Sequence, residues 1–339
     1  MTTDRTPTPL RLAVALDASD PPVEEAAAPA LFAPGHWTRL ARLAERGTLD
    51  FVTLADSFAG PGIDAAATLA RVAPETRHIG LVPALTTTHT EPFHLSSTLA
   101  TLDWVSRGRA GWTPSVSATE AEAALFGRRQ GAPPAALWRE AGEVADVVAR
   151  LWDSWEDDAE IRDASTGRFI DRDKLHYVDF AGEYFSVRGP AIVPRPPQGR
   201  PVTVADLTDE EPRGALAPHT DVALVRAADP VTARDLREEL RARVPGLTVL
   251  VSLPVELHGD GEAAGLAGLL ADWAAEGAAD GFHLCPAEPA RDIVRIVDTT
   301  VPLLRERGLA RDRYEGATLR AHLGLPRPDS RYAPARESA

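Results

Sequence analysis

The fold is decided by DFVTLADS, residues 50–57, together with seven other runs that repeat its pattern. Residues 50–55 form a nearly continuous apolar run, as expected for a parallel strand that is buried on both faces. The other runs are RLAVAL (11–16), HIGLVPAL (78–85), RAGW (109–112), PVTVA (201–205), DVALV (221–225), LTVLVSLPV (247–255) and GFHLC (281–285). Amphipathic stretches separate them, at 36–46, 63–73, 93–105, 135–152, 231–243, 262–276 and 289–307. The chain is therefore predicted to be an α/β protein, a (β/α)₈ TIM barrel rather than an open doubly wound sheet.

The glycine pattern argues against a dinucleotide-binding fold. No GxGxxG motif follows a predicted strand, and the nearest sequence, HGDGEAAG (258–265), has its last glycine one residue too far along. We interpret it as a turn that leads into a helix. The segment 209–218, DEEPRGALAP, is predicted to be a poor helix because Pro212, Gly214 and Pro218 interrupt it.

The domain organisation follows from these elements. A single barrel is predicted over residues 1–308, interrupted by an inserted excursion at 153–200 between the fourth helix and the fifth strand. A small hairpin is expected in this excursion near HYVDFAGEYFSV, residues 176–187. The tail at 309–339 contains several prolines and is expected to pack on the surface or to fray.

Charge and composition exclude several function classes. The 339 residues include 36 Lys+Arg and 50 Asp+Glu, and the net charge of −14 argues against nucleic acid or an anionic membrane as partner. Lys174 is the only lysine, which disfavours Schiff-base chemistry and a Walker-type phosphate site. Cys285 is the only cysteine, so no intrachain disulfide can form. With no signal-like or membrane-spanning run, the expected location is the cytoplasm.

The ends of the predicted strands indicate where chemistry would occur, because the reactive groups of a barrel come from the carboxyl ends of its strands. This rule gives the candidates Asp56, Ser57, Thr86, Thr87, Thr88, His89, Thr113, Ser115, Asp206, Thr208, Arg226, Glu256, His258 and Cys285. Hydroxyl groups dominate the first half of the set. Such a site is better suited to hydrogen bonding a polar, planar ligand than to activating water.

Several candidates have a purely structural alternative. Asp56 precedes a turn and could cap backbone N–H groups, and the TTTHT run at 86–90 could be an ordinary loop. His89 and His258 are the candidates for a catalytic acid or base, although a capping or exposed role is the commoner one for a histidine at a position such as that of His89. Cys285 could be a small buried apolar residue. No histidine has carboxylates at metal-ligand spacing, so no metal site is predicted, and no GxSxG motif occurs.

Four segments resemble the bacterial luciferase-like superfamily, in particular the branch with nitrilotriacetate and dibenzothiophene-sulfone monooxygenases. They are LARLAERGTLDFVTLADS (40–57), TTTHTEPFHLSSTLATLDWVSRGRAGW (86–112), residues 151–201, and VPLLRERGLARDRYEGATLRAHLGLPRP (301–328). The resemblance implies a two-component monooxygenase that takes reduced FMN, or a deazaflavin, from a separate NAD(P)H-dependent reductase and oxygenates a small organic substrate. It also implies a homodimer. The residues that it implies for cofactor binding are Asp56, Ser57, Thr86, Thr87, Thr113, Trp138 and Thr208.

The sequence departs from this family where flavin phosphate should bind. The family's GWN motif reads GWT, ending in Thr113, and its HDERY motif reads PAALW, ending in Trp138. Its QAGxSxxG phosphate cradle reads ADLTDEEP at 205–212, so acids and Pro212 replace small residues. The usual lid insertion after the seventh strand is also missing, since VELHGDGEAAG leads directly into the next helix.

These departures leave a second function open. A luciferase-like barrel that has lost flavin binding could serve as a non-catalytic partner subunit of a related chain. A hydrolase or aldolase on the same scaffold has little support in the sequence.

Overall fold

In a computed structural model, the described residues are 9–18, 32–33, 35–58 and 62–332. Two parts of the prediction lie outside the described residues. They are the domain bounds at residues 1 and 339 and parts of the loops after the first two strands. Within the described residues, the strands are β1 (Arg11–Ala15), β2 (Phe51–Leu54), β3 (Gly80–Thr86), β4 (Gly111–Ser115), β5 (Glu160–Asp163), β6 (Arg168–Ile170), β7 (Phe180–Ala181), β8 (Ser186–Val187), β9 (Val202–Asp206), β10 (Val222–Val225), β11 (Thr248–Val255) and β12 (Gly281–Pro286).

Eight of these strands close into a parallel barrel. Their order is β1-β2-β3-β4-β9-β10-β11-β12, and β12 pairs back onto β1. Each barrel strand overlaps one of the eight predicted apolar runs. The (β/α)₈ prediction is therefore confirmed.

Helices cover the outside of the barrel, except for the last one, which packs into its interior. They are α1 (His36–Arg46), α2 (Ala65–Val72), α3 (Pro92–Ser106), α4 (Glu120–Phe126), α5 (Pro134–Asp153), α6 (Glu210–Leu216), α7 (Pro230–Arg243), α8 (Asp260–Ala275), α9 (Pro289–Arg295), α10 (Val301–Glu306) and α11 (Leu319–Leu323). A π-helical turn at Ile296–Thr300 joins α9 to α10. None of the helices in the described ranges has the length and apolar character needed to cross a membrane.

The segment 209–218 is more helical than its sequence predicts. It forms α6, followed by a 3₁₀ turn at Ala217–His219. Pro212 is the third residue of the helix, where the backbone N–H of any residue would lack an intrahelical acceptor, so the proline does not prevent helix formation. The prediction of a poor helix was wrong for this reason.

The excursion consists of two small hairpins, β5–β6 and β7–β8, and the second lies within the predicted range 176–187. A buried ion pair between Arg195 and Asp153, with an N–O distance of 3.1 Å, joins the end of the excursion to the end of α5. The excursion thus returns the chain to the barrel at β9.

Three aspartates hold the amino-terminal base of the barrel, and we call them the base aspartates. Each directly precedes a strand, and its carboxylate accepts a backbone N–H near the start of the neighbouring strand. The pairs are Asp50 with Leu12 (2.7 Å), Asp221 with Thr203 (3.0 Å) and Asp280 with Val249 (2.8 Å). The strands are therefore joined across their ends as well as by their ladders.

Arginines neutralise the base aspartates, and two of these arginines come from the carboxyl-terminal segment. Arg311 lies 2.6 Å from Asp50, and Arg320 binds Asp221 through two contacts of 2.8 and 3.1 Å. Asp280 is paired with arginines from α7. These paired, hydrogen-bonded carboxylates can be buried without the large cost of an isolated charge.

Helix α11 packs into the interior of the barrel. Leu319 and Leu323 lie in one apolar cluster with inward-facing strand residues such as Phe51 and Val82. The fit is close, since a Cβ atom added at Gly80 would lie 2.5 Å from a methyl group of Leu319. The segment from 309 to 325 therefore contributes to the core, and the expectation that the tail from residue 309 packs on the surface or frays is wrong for these residues.

We expect Leu319→Ala to lower the free energy of unfolding by about 3 kcal/mol, because it leaves a cavity among buried side chains. Urea denaturation of the purified protein would measure this loss. The matched control is Leu125→Ala, at a side chain that is 70% exposed, which should change stability by less than about 0.5 kcal/mol. Equal stability of the two variants would contradict the assignment of α11 to the core.

Candidate active site

The inward-facing side chains change from apolar to polar towards the carboxyl end of the barrel. On β2, Phe51 lies in the inner apolar cluster, whereas Thr53, two residues further on, makes a polar contact with His283 of β12, two strands away. On β11, the same change occurs from Leu250 to Ser252. Because alternate residues of a strand face the same side, this places a polar layer above an apolar one. The polar layer is the floor of the barrel mouth.

The centre of this floor is a group of four residues, the His283 cluster: Thr53, Ser252, His283 and Cys285. The Nε2 atom of His283 lies 2.9 Å from the Thr53 hydroxyl. Its Nδ1 atom lies 3.2 Å from the Ser252 hydroxyl and 3.6 Å from the Cys285 sulfur. The side chain is buried, and burial lowers the pKa of His283 to about 4. At neutral pH the imidazole is therefore uncharged, with one donor and one acceptor nitrogen.

Cys285 is a protonated thiol. Burial, aided by the charges of Asp17 and Asp206, raises its pKa to about 12. A thiol in such surroundings is a poor nucleophile, because the thiolate is the reactive form. Within the described residues, no group of three His, Cys, Asp or Glu side chains is placed to hold a metal ion.

The residues after β2 and β3 are bonded mainly to other parts of the protein. Asp56 accepts the N–H of Ala65 at the start of α2, with a distance of 3.1 Å, while Ser57 lies exposed at the rim. The Thr86 hydroxyl lies 2.9 Å from that of Ser117. Thr87 donates to the carbonyl of Ser115, at 3.0 Å. Thr86 and Thr87 thus join the β3 loop to the β4 loop, and their assignment as cofactor contacts stays a prediction.

Thr113 and Trp138 lie on the neighbouring elements. Thr113 is half-buried on β4, where alternation from Gly111 directs its side chain into the barrel. Trp138 lies in the first half of α5, partly buried against the main core. Thr208 follows β9 and is described with the acidic loop below.

His89 belongs to an aromatic cluster above the third strand. Its ring stacks on Phe126 of α4, with centroids 4.4 Å apart, and Phe58 packs edge-on against the same Phe126 ring at 4.7 Å. Burial, aided by the charge of Arg129, lowers the pKa of His89. Its Nε2 atom is buried without a hydrogen-bond partner among the described residues.

The structure does not bring the two candidate catalytic histidines together. His258 follows β11 and His89 follows β3, and these strands lie on opposite sides of the barrel. His258 is 60% exposed and lies 3.3 Å from the carboxylate of Glu256. The buried His283, which the sequence did not nominate, is the histidine with polar partners on two other strands.

The acidic loop, residues 206–211, runs from the last residue of the fifth barrel strand, β9, into the first turn of α6. The Asp206 carboxylate accepts both the backbone N–H and the hydroxyl of Thr208, at 3.0 and 2.6 Å. Arg226, from the end of β10, lies 3.1 Å from Asp209 and 3.5 Å from Asp206. This cation at the mouth is thus already paired with two carboxylates.

A second arginine near the acidic loop points away from the mouth. Arg213 is buried, and its guanidinium donates to the carbonyl of Leu207, at 3.1 Å, and lies 2.9 Å from Glu239 of α7. The side chain of Leu207 is itself buried in the main core. The bulk of this leucine would suggest that it blocks the approach of a ligand to the loop. Because the side chain points into the core, it does not.

Comparison with known proteins identifies the family of the chain. The model of the luciferase-like monooxygenase family matches residues 13–308. The chain belongs to the luciferase-like monooxygenase family. The resemblance seen in its sequence segments is therefore confirmed.

Two curated relatives and one solved structure illustrate this membership. Dibenzothiophene-sulfone monooxygenase of Rhodococcus erythropolis is 31% identical, over 86% of this chain and 90% of the relative. One of the subunits of pristinamycin IIA synthase of Streptomyces pristinaespiralis is 32% identical, over 88% of this chain and 92% of the relative; we call it the short synthase subunit. The structure of EDTA monooxygenase from Chelativorans superposes with a TM-score of 0.81, at 22% identity, over 94% of this chain and 99% of that one. The structural likeness shows a shared fold.

The two alignments differ in length. With the sulfone monooxygenase, 86% of 339 residues is about 292, so about 120 of the 411 aligned positions face gaps in this luciferase-like chain. With the short synthase subunit, 88% is about 298 residues, so only about seven of 305 positions do. In the structure, the connection between β11 and α8 is short, spanning residues 256–259. This barrel carries no lid domain at that point.

An FMN phosphate does not fit the acidic loop. This loop occupies the position at which the family resemblance implies a phosphate site. The loop offers few free backbone donors, because the Thr208 N–H is taken by Asp206 and Pro212 has none. Asp209 and Glu210 are both about two-thirds exposed, and the arginines that contact them are shared with other carboxylates. Each like charge a few ångströms from a phosphate costs on the order of 1 kcal/mol near a surface. The residues present disfavour this group.

We expect His283→Asn to reduce the loss of stability at acid pH. The unfolded chain binds a proton at His283 near pH 6.5, whereas the folded protein binds it only near pH 4. Between these values the unfolded state holds more protons, so the free energy of unfolding falls as the pH falls. For one such histidine the loss between pH 7 and pH 5 is about 2 kcal/mol.

Urea denaturation at pH 7 and at pH 5 would measure this difference for wild type and variant. The control is His94→Asn, at an exposed side chain of α3, which should keep the wild-type pH dependence. If His283→Asn shows the same loss as wild type, the histidine is charged in the folded protein and the neutral cluster is refuted.

Proposed function

We propose that this chain is the oxygenase component of a two-component flavin-dependent monooxygenase that acts on a small organic substrate. The observation that carries the proposal is the family match across residues 13–308, on a closed barrel with a polar mouth. Reduced flavin would come from a separate reductase. FMN is the flavin to be assayed first, with a deazaflavin as the alternative.

The charge of the mouth favours a neutral or cationic substrate. Asp17, Asp206, Asp209 and Glu256 all follow barrel strands, and Arg226 is already paired with two of them. A cleft with charge of one sign repels ligands of that sign and attracts those of the opposite sign. One relative is named as a component of nitrilotriacetate monooxygenase, and we expect such a polyanion to be a poor substrate for this chain.

We expect the purified chain to oxygenate neutral thioethers, sulfones or amines when a flavin reductase and NADH supply reduced flavin. Mass spectrometry with ¹⁸O₂ would detect one oxygen atom in the product. For matched neutral and carboxylated substrates of one size, kcat/KM should be at least about tenfold higher for the neutral one. A preference for the carboxylated substrate would refute the charge argument, and the absence of labelled product with every reduced flavin supplied would refute the activity.

A second candidate function is that of a non-catalytic partner subunit. The nearly gap-free alignment with the short synthase subunit favours it, because that relative is named as one subunit of pristinamycin IIA synthase. Another subunit of the same synthase, which we call the long synthase subunit, is also similar to this chain, at 32% identity over 60% of this chain and 47% of the relative. A chain with an acidic loop and a short β11–α8 connection could support a longer luciferase-like chain that binds the flavin.

In that case we expect the chain to be inactive alone and to bind a longer luciferase-like protein. The long synthase subunit is a suitable probe. Size-exclusion chromatography with light scattering should give a one-to-one complex, and addition of the chain should raise the oxygenation rate of that probe. Turnover by the chain alone, without a mixed complex, would contradict this function and support the first.

A further inference from the structure

Two backbone donors of the acidic loop are already engaged within the protein. The N–H of Leu207 donates to the carbonyl of Leu224, at 2.9 Å, which extends the pairing of β9 and β10. The next N–H, that of Thr208, donates to the Asp206 carboxylate at 3.0 Å. Asp206 therefore occupies, from within the chain, the position of an anion that accepts loop N–H groups. An incoming phosphate would have to displace a covalently attached carboxylate.

The first turn of α6 does not compensate. Its first two residues are Glu210 and Glu211, and the third is Pro212, which removes one of the donors that a helix start normally offers. The preceding Asp209 caps the helix through its backbone conformation, without a side-chain hydrogen bond. The charges at this helix start thus have the same sign as a phosphate.

Cations near the loop are held by acids. Arg226 contacts Asp206 and Asp209, and Arg213 is turned towards Glu239 and the carbonyl of Leu207. Because Leu207 points into the core, the space above the loop is not closed by its side chain. The loop therefore disfavours a dianion by its charge and by the donors that are engaged or missing at Leu207, Thr208 and Pro212, and not by bulk.

We propose that this barrel mouth takes a flavin without a phosphate tail, so that it binds riboflavin more tightly than FMN. The proposal rests on the proposed function only in that the ligand is a flavin. The neutral ribityl chain presents hydroxyls, which can donate hydrogen bonds to the exposed carboxylates of the acidic loop. The same carboxylates repel the doubly charged tail of FMN.

The test compares riboflavin and FMN by fluorescence titration of the purified chain. We expect the dissociation constant of riboflavin to be at least about tenfold lower than that of FMN at low ionic strength. Raising the salt concentration should strengthen FMN binding, because it screens repulsion, and should leave riboflavin binding unchanged. Salt would instead weaken FMN binding if a cation held the phosphate, so the sign of this effect identifies the interaction.

Variants locate the discrimination in the acidic loop. Asp209→Ser with Pro212→Gly restores a donor, removes a charge and frees Arg226 from one carboxylate, so FMN affinity should rise at least about tenfold, whereas riboflavin affinity should not rise, because the variant loses one acceptor carboxylate. Adding Arg226→Gln to this double variant should abolish the gain. The control Asp235→Ser removes a charge from an exposed position on α7 and should change neither affinity.

FMN binding as tight as or tighter than riboflavin binding in the wild type would overturn the proposal. Absence of binding for both flavins would overturn it as well and would favour the partner-subunit function. The titration needs no turnover, so it is independent of the activity assay. If the chain oxygenates substrate and also binds FMN more tightly than riboflavin, only this inference is refuted. A chain with the expected preference but no turnover would refute only the enzymatic function.

Discussion

The base aspartates are the constraint on which the rest of the structure depends. Asp50, Asp221 and Asp280 each precede a strand and accept an N–H near the start of the strand beside it, so they fix the register of neighbouring strands at the closed end of the barrel. Arginines from the segment after α10 neutralise two of them, and Leu319 of α11 fills the interior above. Removing a partner from such a buried pair costs several kcal/mol. These contacts lie at the end of the barrel opposite the mouth.

This separation explains how the mouth can depart from its family without loss of the fold. In a barrel, the amino-terminal face supports stability while the carboxyl-terminal loops determine chemistry. The acidic loop illustrates this, since Leu207 packs in the core and Arg213 binds the loop carbonyls, and both contacts are independent of any ligand. Asp206 and Asp209 then face the mouth with Arg226 between them. A loop that is stabilised in this way does not need a phosphate to keep its conformation.

The sequence predicted the elements that repeat a simple pattern and missed contacts that depend on register. Helix α1 has the predicted bounds, 36–46, because its apolar face has a clear helical period. Helix α4 was not predicted, although Thr119 and Glu122 form a capping box that its sequence announces. The His283 cluster was missed because His283, Ser252 and Thr53 come from three strands. Aligning the inward positions of β2, β11 and β12 would have brought them together, whereas reading strand ends favoured exposed loop residues such as His258.

The polarity of the floor and the charge of the rim together limit what the mouth can do. The His283 cluster offers a neutral imidazole and hydroxyls, which orient a ligand by hydrogen bonds but supply neither a thiolate nor a permanent charge. The short β11–α8 connection leaves this floor without a lid domain at that point, so exclusion of water has to come from the ligand or from a partner. An acidic rim admits neutral ligands more readily than anions, and a partner that covers the mouth would meet a surface of negative charge. Both candidate functions therefore require a ligand that covers the barrel mouth. For the monooxygenase this ligand is a phosphate-free flavin, and for the partner subunit it is a more basic protein surface.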